Sequence, residues 1–410
     1  MILSKSRYLF KDKNFFLFWL SQVISSIGNT LIPVTITFAV LEVTGSATKL
    51  GMVLGALWIS RVIFVMFGGV LADRIPRKKI LIIADLLQGV NHVVVGILFF
   101  VGSIEMWHLT VSALFYGAVS AFHSPASSGI LPQLIDKEKF QKANSVLSIA
   151  NSIFEIIGPA LAGVMVIFWG FSTIFFIDAI TFFISMILMC LVIERYKSEP
   201  RTEESYWADL VGGIRVVRNY SWIWSTLIIF STLNFAIASF YVLGPIIILE
   251  NFGDPKAWGL IVMASSVGGL IGGVVSHNIK LKNPLRVSFI IMPIFVSLEI
   301  LVLIGPMSSW IIMLVVMFTS ASIVIGGVLW DTFVQHNLPQ NLLSRIGSLD
   351  SFVSFVFMPL GFVLAGPLSN YLGMTWTLLI ISSLVIVLSF LFLYLGESFK
   401  MRAENKNELA

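Results

Sequence analysis

The sequence GVLADRIPRKK, at residues 69–79, is the stretch that constrains the fold most strongly. The acidic residue Asp73 is followed within six positions by four cations, Arg74, Arg77, Lys78 and Lys79. Long apolar segments lie on both sides, at roughly 50–71 and 79–101. A short cationic loop between two such segments is typical of two membrane-spanning helices that are joined on the cytoplasmic side.

The composition places most of the chain in lipid. Of the 410 residues, 57% are hydrophobic and 12% are charged, whereas soluble domains carry about 25% charged residues. So few charges cannot cover the surface of a soluble protein of this length, and disordered chains are far less apolar. Soluble enzymes and disordered proteins are therefore excluded, and an all-α polytopic membrane protein is expected.

Twelve segments are apolar over the length of about 20 residues that a bilayer-spanning helix needs. They lie at roughly 15–41, 50–71, 79–101, 107–128, 143–168, 172–193, 222–249, 257–276, 285–305, 309–335, 346–368 and 373–395. The first span is long, follows a basic stretch and lacks a small-residue cleavage site, so no cleavable signal peptide is expected.

The cationic residues indicate the orientation in the membrane. Of the 26 Lys and Arg residues, 23 fall on one side of the predicted spans. Lys49 and Lys256 fall on the other side, and Arg61 lies inside a span. Because Lys and Arg concentrate in cytoplasmic loops, both termini are predicted to be cytoplasmic, in a multi-pass protein of the cytoplasmic membrane.

The spans fall into two halves. We expect an N-terminal six-helix bundle at 1–193, a cytoplasmic linker with an interfacial amphipathic helix at 194–221, a C-terminal six-helix bundle at 222–395 and a cytoplasmic tail at 396–410. Leu131-Pro132-Gln133 recurs as Leu338-Pro339-Gln340, and Gly158-Pro159 recurs as Gly366-Pro367 at nearly the same spacing. Two pseudo-symmetric repeats of this kind are typical of one class of secondary transporters.

Residues 69–79 closely resemble the loop signature of the major facilitator superfamily, G-x-L-A-D-R-x-G-R-(K/R)-(K/R), with Pro76 in place of the usual glycine. Motifs along the rest of the chain resemble the branch that contains macrolide-efflux proteins and the bacterial enterobactin exporter: Thr44-Gly45-Ser46-Ala47, Phe122-His123-Ser124-Pro125-Ala126 and Phe176-Ile177-Asp178-Ala179. The resemblance implies the twelve-helix major facilitator fold, commonly a monomer, and export driven by the proton gradient.

The signature loop is a candidate gate, made of Gly69, Asp73, Arg74, Arg77 and Lys78. Asp73 can accept hydrogen bonds from the first N–H groups of a helix in the other half, where the helix macrodipole favours a negative charge. The three cations can pair with carboxylates or lipid phosphates. Breaking and remaking these contacts would bias the two halves between facing inward and facing outward.

Ionisable residues inside the spans are the candidates for proton coupling, because each costs several kcal/mol at membrane depth. Arg61 and Glu155 both lie about 18 Å from the cytoplasmic edge at 1.5 Å per residue. They can form a proton switch, with Glu155 taking the proton when the pair opens, or equally a fixed structural ion pair. Asp331, near the cytoplasmic end of the tenth span, is a further candidate for contact with substrate or proton.

The remaining intramembrane ionisable residues are expected to be structural. Asp85, Asp178 and Glu299 are predicted to form structural pairs, and His92 and His123 to be hydrogen-bonded packing residues. Near the start of the eleventh span, the expected partner of Asp350 is Arg345 or the loop around Arg77.

By analogy with the family, the substrate cavity should be lined by spans 1, 4, 7 and 10. Its polar and aromatic candidates are Gln22, Asn29, Tyr116, Asn234, Tyr241 and Trp330. A mostly apolar cavity with a few polar groups suits lipophilic substrates. Gly158 and Pro159 are expected to act in helix packing.

Three functions are compatible with an integral membrane protein of this kind. The first is a proton-coupled exporter of a lipophilic drug or small metabolite, and the second is the same fold used for siderophore or lysolipid export or for solute uptake. The third, a polytopic membrane enzyme, is least supported, because the sequence has no Walker loop, metal-ligand spacing or Gly-x-Ser-x-Gly elbow. We therefore expect no catalytic residue, no metal or cofactor, no nucleic-acid partner, and the proton gradient as the energy source.

Overall fold

The computed structural model describes residues 9–136, 139–193, 221–276, 284–305, 307–337, 349–350, 352–354 and 356–407. Within these ranges, side chains are described except at 65–74, 124–125, 128, 141, 221–222, 284–288, 337 and 395–407. This part of the chain contains helices and no β-strand.

The helices follow the order of the predicted spans. They are α1 (Lys13–Thr44), α2 (Ala47–Arg74), α3 (Arg77–Phe100), α4 (Met106–Leu134), α5 (Phe140–Leu191), α6 (Ser221–Phe252), α7 (Pro255–Ser276), α8 (Pro284–Leu301), α9 (Ser309–Asn337), α10 (Met358–Leu372) and α11 (Met374–Asn407), after a short 3-10 helix at Leu9–Lys11. Helix α5 breaks at Gly170, whose φ of 71° and ψ of 172° are not helical. Its two arms, at 140–169 and 171–191, correspond to the fifth and sixth predicted spans.

Helix boundaries follow from capping chemistry at both ends of α1. The Asp12 carboxylate accepts hydrogen bonds from the N–H groups of Asn14 (3.0 Å) and Phe15 (3.3 Å), which have no partner inside the helix. At the other end, Gly45 adopts a left-handed conformation with φ 56°, and its N–H donates to the Leu41 carbonyl. A glycine is suited to this position because it carries no Cβ to clash.

The helices are membrane-spanning in length and composition. Within the described residues, nine helices are long and apolar enough to cross a bilayer, with α5 counted once although it holds two predicted spans. The prediction of an all-α polytopic membrane protein is confirmed. Large tryptophans at helix ends are 58–73% exposed, Trp107 and Trp169 in the first unit and Trp310 and Trp376 in the second. Tryptophan favours the headgroup level of a bilayer because its ring is apolar and its N–H is polar.

The chain divides into two compact units. The first comprises residues up to Gly45, residues from Ala56 through α5, and Asp254–Met263; the second comprises Ser46–Gly55, α6, and the chain from Ala264 onward. In the first unit, the ends of α1, α3, α4 and α5 near the signature loop enclose an apolar core that includes Phe15, Phe18, Leu81, Ile130, Leu134 and Met189. The predicted linker at 194–221 lies outside the described residues apart from Ser221, and the domain boundaries stay a prediction.

Candidate functional site

The signature loop joins α2 to α3. Asp73 and Arg74 are the last two residues of α2, and Pro76 precedes the first residue of α3 with φ −51°, a value that proline favours. The side chains of Asp73 and Arg74, and the environment of Gly69, lie outside the described residues. The gate role of these three residues therefore stays a prediction.

Two cations of the loop connect α3 to other helices of the first unit through side-chain contacts. The guanidinium of Arg77 packs against α4 at Gly129, in the space that a Cβ on that residue would occupy. The Lys78 ammonium donates hydrogen bonds to the carbonyls of Cys190 (3.0 Å) and Val192 (2.6 Å) at the end of α5. A cation at a helix C-terminus satisfies carbonyls that have no helical partner and is favoured by the macrodipole.

Replacing Lys78 with methionine should lower the free energy of unfolding by about 1.5–3 kcal/mol, the usual contribution of hydrogen bonds to a charged group. Methionine keeps the apolar stem but leaves the two carbonyls without a donor. Equilibrium unfolding in mixed micelles measures the change. The adjacent Lys79→Met is the control, because Lys79 is exposed and should change stability by less than about 0.5 kcal/mol. Equal effects would contradict the capping role.

The predicted pair of Arg61 and Glu155 is not joined by a salt bridge among the described residues. Instead the Arg61 guanidinium lies over the Trp58 ring, 5.2 Å from its centroid, in a cation–π contact on the same helix. Glu155 is exposed on the first arm of α5. The participation of these two residues in proton coupling stays a prediction.

An exposed polar stripe runs along the first arm of α5. Asn144, Ser148, Asn151 and Glu155 are all exposed, and their spacing of four, three and four residues places them on one helical face. Asn151 also accepts a hydrogen bond from Ser26 of α1 at 2.8 Å. Polar groups in a membrane span face protein or water rather than lipid. Sequence reasoning gave a functional role only to Glu155, although the helical spacing of the other three was visible.

Two further hydrogen bonds link α1 to α4 along the same unit. Ser127 donates to the Gln22 side-chain oxygen at 2.8 Å, and the Tyr116 hydroxyl donates to the Asn29 side-chain oxygen at 2.8 Å. The structure therefore brings together the candidates that sequence reasoning placed on the first and fourth spans. Their contact with substrate stays a prediction.

In the second unit, Trp330 of α9 donates through Nε1 to the Asp350 carboxylate at 3.1 Å, and Ser354 donates to the same carboxylate at 2.8 Å. The Trp330 ring meets Phe230 edge-on, with centroids 5.8 Å apart. Asp331, the predicted contact for substrate or proton, is exposed beside Trp330. Arg345, one expected partner of Asp350, lies outside the described residues.

The seventh-span candidates lie on α6. The Asn234 amide donates to the Phe230 carbonyl on its own helix at 3.0 Å. Tyr241 hydrogen-bonds with Ser265 of α7, and Ser265 lies 2.7 Å from the Ser320 hydroxyl of α9. Glu299 of α8 is buried beside Thr319 of α9, whose hydroxyl lies 3.0 Å from the Phe295 carbonyl of α8. These contacts form a polar cluster inside the second unit.

Gly158 and Pro159 are buried on the first arm of α5. A Cβ at residue 158 would overlap the Thr30 side chain, so the absence of a side chain allows α5 to approach α1 closely. This placement is compatible with the predicted packing role.

Two acid–histidine pairs lie in the interior of the first unit. Nδ1 of His92 is 2.5 Å from an Asp178 carboxylate oxygen, and these side chains are 2% and 0% exposed. Nε2 of His123 is 3.8 Å from an Asp85 carboxylate oxygen. Sequence reasoning expected structural pairing of the acids, but it did not identify their histidine partners.

Comparisons with known proteins agree with this arrangement of helices. A model of the Major Facilitator Superfamily matches residues 18–361. Macrolide efflux protein A of Streptococcus pyogenes is 25% identical over 92% of this chain and 94% of its own length. Multidrug efflux pump Tap of Mycolicibacterium fortuitum is 23% identical over 90% and 92%.

Solved structures share the fold at low sequence identity. The nucleoside transporter NupG superposes with a TM-score of 0.75 at 13% identity, over 92% of this chain and 99% of that one. A bacterial homologue of the iron transporter ferroportin, in an inward-facing state, superposes with a TM-score of 0.70 at 17% identity, over 92% and 98%. These similarities confirm the fold predicted from the signature loop.

Proposed function

Because this chain belongs to the major facilitator superfamily, and is therefore a multi-pass membrane transporter and not an enzyme, we propose that it exports a lipophilic small molecule in exchange for protons. In this proposal the protein works as a monomer in the cytoplasmic membrane, with both termini in the cytoplasm. The concentration of Lys and Arg on one side of the spans supports this orientation.

The observation that carries the proposal is the exposed polar stripe on α5, at Asn144, Ser148, Asn151 and Glu155. A membrane helix carries such a face where it meets protein or water rather than lipid, so the stripe is suited to lining a substrate pathway. Exposed isoleucines lie beside it on the same arm, at Ile149, Ile153 and Ile157, and Ser26 of α1 contacts it through Asn151. An apolar cavity with a few polar groups favours an amphipathic or lipophilic cargo.

The names of the relatives support the same cargo class. Two proteins that align with more than 90% of their length are described as macrolide and multidrug efflux pumps. Macrolides are large, mostly apolar molecules with a few hydroxyl and amino groups, which fits the cavity chemistry. Export of a macrolide is therefore the first activity to test.

The experiment measures the accumulation of erythromycin and of ethidium in cells that express the protein, with and without a protonophore. Expression should lower accumulation, and dissipating the proton gradient should restore it. Lower accumulation that persists with the protonophore would contradict proton coupling. Raised accumulation would contradict export and favour uptake. Unchanged accumulation of both compounds would contradict a lipophilic cargo.

Asp73→Asn should reduce the export rate about tenfold or more, equivalent to a barrier increase of about 1.4 kcal/mol. The amide keeps the shape of the carboxylate but loses the charge that a helix N-terminus attracts. Transport is measured together with the amount of folded protein in the membrane. Glu250→Gln is the matched control, because Glu250 is an exposed acid on α6 that is not part of the signature loop. Normal export by Asp73→Asn would contradict the gate assignment.

A further inference from the structure

Three helices of the first unit carry two layers of polar groups that are buried or half-buried. The lower layer, nearer the signature loop, consists of Asp85 on α3, His123 on α4 and Ser185 on α5. The upper layer consists of His92, Tyr116 and Asp178 on the same three helices. On each helix the two positions are seven residues apart, which is two turns or about 10.5 Å. Each layer therefore holds one acid and one histidine.

In the upper layer, the acid and the histidine are in direct contact. His92 and Asp178 are in hydrogen-bond contact at 2.5 Å. The hydroxyl of Thr181 lies 3.3 Å from the other carboxylate oxygen, and the Tyr116 ring stacks on His92 with centroids 5.5 Å apart. The Tyr116 hydroxyl reaches Asn29 of α1. These contacts form a continuous chain from Asp178 through His92 and Tyr116 to Asn29 on the predicted cavity face.

In the lower layer, the acid and the histidine are not joined by a hydrogen bond. Ser185 donates to one oxygen of Asp85 at 2.6 Å. The other Asp85 oxygen and Nε2 of His123 are both buried, and neither has a hydrogen-bond partner among the described residues. They lie 3.8 Å apart. That separation is about 1 Å longer than a charge-assisted hydrogen bond between nitrogen and oxygen.

We propose that Asp85 and His123 bind the coupling proton of this transporter. The proposal rests on the proton-coupled export proposed above and names the site for it. At 3.8 Å, Nε2 of a neutral His123 does not donate to the Asp85 carboxylate, so the ring carries its one N–H on Nδ1 and the two facing atoms are both acceptors. One added proton, on either group, supplies the donor that the pair lacks and forms a hydrogen bond across the gap.

Closing this gap has a mechanical consequence. Asp85 is on α3 and His123 is on α4, so a shared proton draws the two helices together by about 1 Å. Gln88 of α3 already donates to the Tyr116 carbonyl of α4 at 3.1 Å. Tyr116 is on α4 and its hydroxyl donates to Asn29 of α1, so a shift of α4 moves Tyr116 relative to Asn29. Proton binding at Asp85 and His123 thereby changes a contact on the predicted cavity face.

No other acid or base lies between the two layers on the three helices that form them. Helix α1 carries no titratable side chain between Lys13 and Glu42. The titratable and charged groups on these helices and on α2 are Arg77, Lys78 and Lys79 below the pair on α3, His92, Tyr116 and Asp178 above it, His108 of α4, Cys190, Lys142 and Glu155 of α5, and Lys49, Arg61, Asp73 and Arg74 of α2.

The first test measures proton binding without any cargo. Infrared spectra of the purified protein in lipid nanodiscs are recorded between about pH 5 and 9, the range in which a histidine-linked site titrates. A carbonyl band of a protonated carboxylic acid should appear or shift with pH in the wild type and be lost in Asp85→Asn. It should remain in Glu250→Gln and in Glu155→Gln. An unchanged band in Asp85→Asn, or its loss only in Glu155→Gln, overturns the proposal.

Histidine ¹⁵N resonances provide a second measurement that does not depend on recovering folded Asp85→Asn. His123→Gln identifies the resonance of His123 by its disappearance. In the wild type this resonance should change over the same pH range as the carboxyl band. A resonance that stays constant over that range overturns the proposal.

The pH profile of erythromycin export connects this site to transport. Asp85→Asn should lower proton-driven export about tenfold and flatten its dependence on pH, whereas Glu250→Gln should keep the wild-type profile. A wild-type profile in Asp85→Asn overturns the proposal. If wild-type protein exports neither erythromycin nor ethidium, the proposed export function fails, while the spectra still decide whether Asp85 and His123 bind a proton.

Discussion

Replacing Asp178 with alanine should lower the free energy of unfolding by about 3–5 kcal/mol, because it leaves His92 buried without its partner. The two side chains are in contact at 2.5 Å and are 0% and 2% exposed, so water cannot replace the lost carboxylate. The change also removes the acceptor near Thr181 and the atoms that pack against Gly28 of α1. Equilibrium unfolding in mixed micelles measures the loss.

The control for Asp178→Ala lies on the same pair of helices. Ser172 of α5 donates to the Gly96 carbonyl of α3 at 2.8 Å, and Ser172→Ala should cost about 1 kcal/mol. The double variant His92→Leu with Asp178→Leu should lose less stability than the two single changes together, because it leaves no unpaired buried group. Additive losses would contradict a direct energetic coupling of the pair.

The second large effect is expected where α7 crosses α9 in the second unit. Gly268 and Gly272, four residues apart on α7, lie against the backbone of Met317 and Ala321 on α9. A Cβ at residue 272 would come within 2.5 Å of the Ala321 carbonyl oxygen, and backbone cannot rotate away as a flexible side chain can. Gly272→Leu should therefore separate the helices and cost about 3 kcal/mol, the upper end of the usual range for overpacking.

Gly273→Leu is the matched control for this prediction. Gly273 is the next residue along the helix and is exposed, and the nearest atom to its Cβ position is a Val324 methyl at 3.9 Å. The same leucine should change stability by less than about 0.5 kcal/mol there. The amount of folded protein and its unfolding midpoint are compared for both variants. Equal losses would show that glycine content, rather than helix contact, determines the effect.

The positions of the spans could be predicted because a bilayer imposes length and apolarity directly on the sequence. The segment predicted at 79–101 is α3 at Arg77–Phe100, and the segments predicted at 143–168 and 172–193 are the two arms of α5. The break between those arms falls at Gly170, where a glycine adopts a positive φ. Lipid contact and glycine geometry are local constraints, so local sequence shows them.

Side-chain partners were harder to predict, because the position of a residue along a helix gives its depth in the membrane but not the neighbouring helix that its side chain faces. Arg61 and Glu155 were paired because they share a depth, yet Arg61 lies over Trp58 on its own helix. His92 and Asp178 also share a depth and in addition face each other. Helix α3 runs antiparallel to α4 and to the second arm of α5. The pairs Asp85–His123 and His92–Asp178 therefore align in the sequence only when one of the two segments is read in reverse. The glycine pair at 268 and 272 was detectable from its four-residue spacing alone.

The tryptophans at helix ends limit how the protein adapts to bilayers of different thickness. Trp107, Trp169, Trp310 and Trp376 are exposed at helix ends, which the charge distribution predicts to be opposite the cationic loops, and their rings favour the headgroup level. Lysines and arginines hold the other side at its own headgroups. With both faces anchored, the protein cannot slide along the bilayer normal to relieve a mismatch. A thinner or thicker bilayer must instead be met by helix tilt or by local deformation of the lipid.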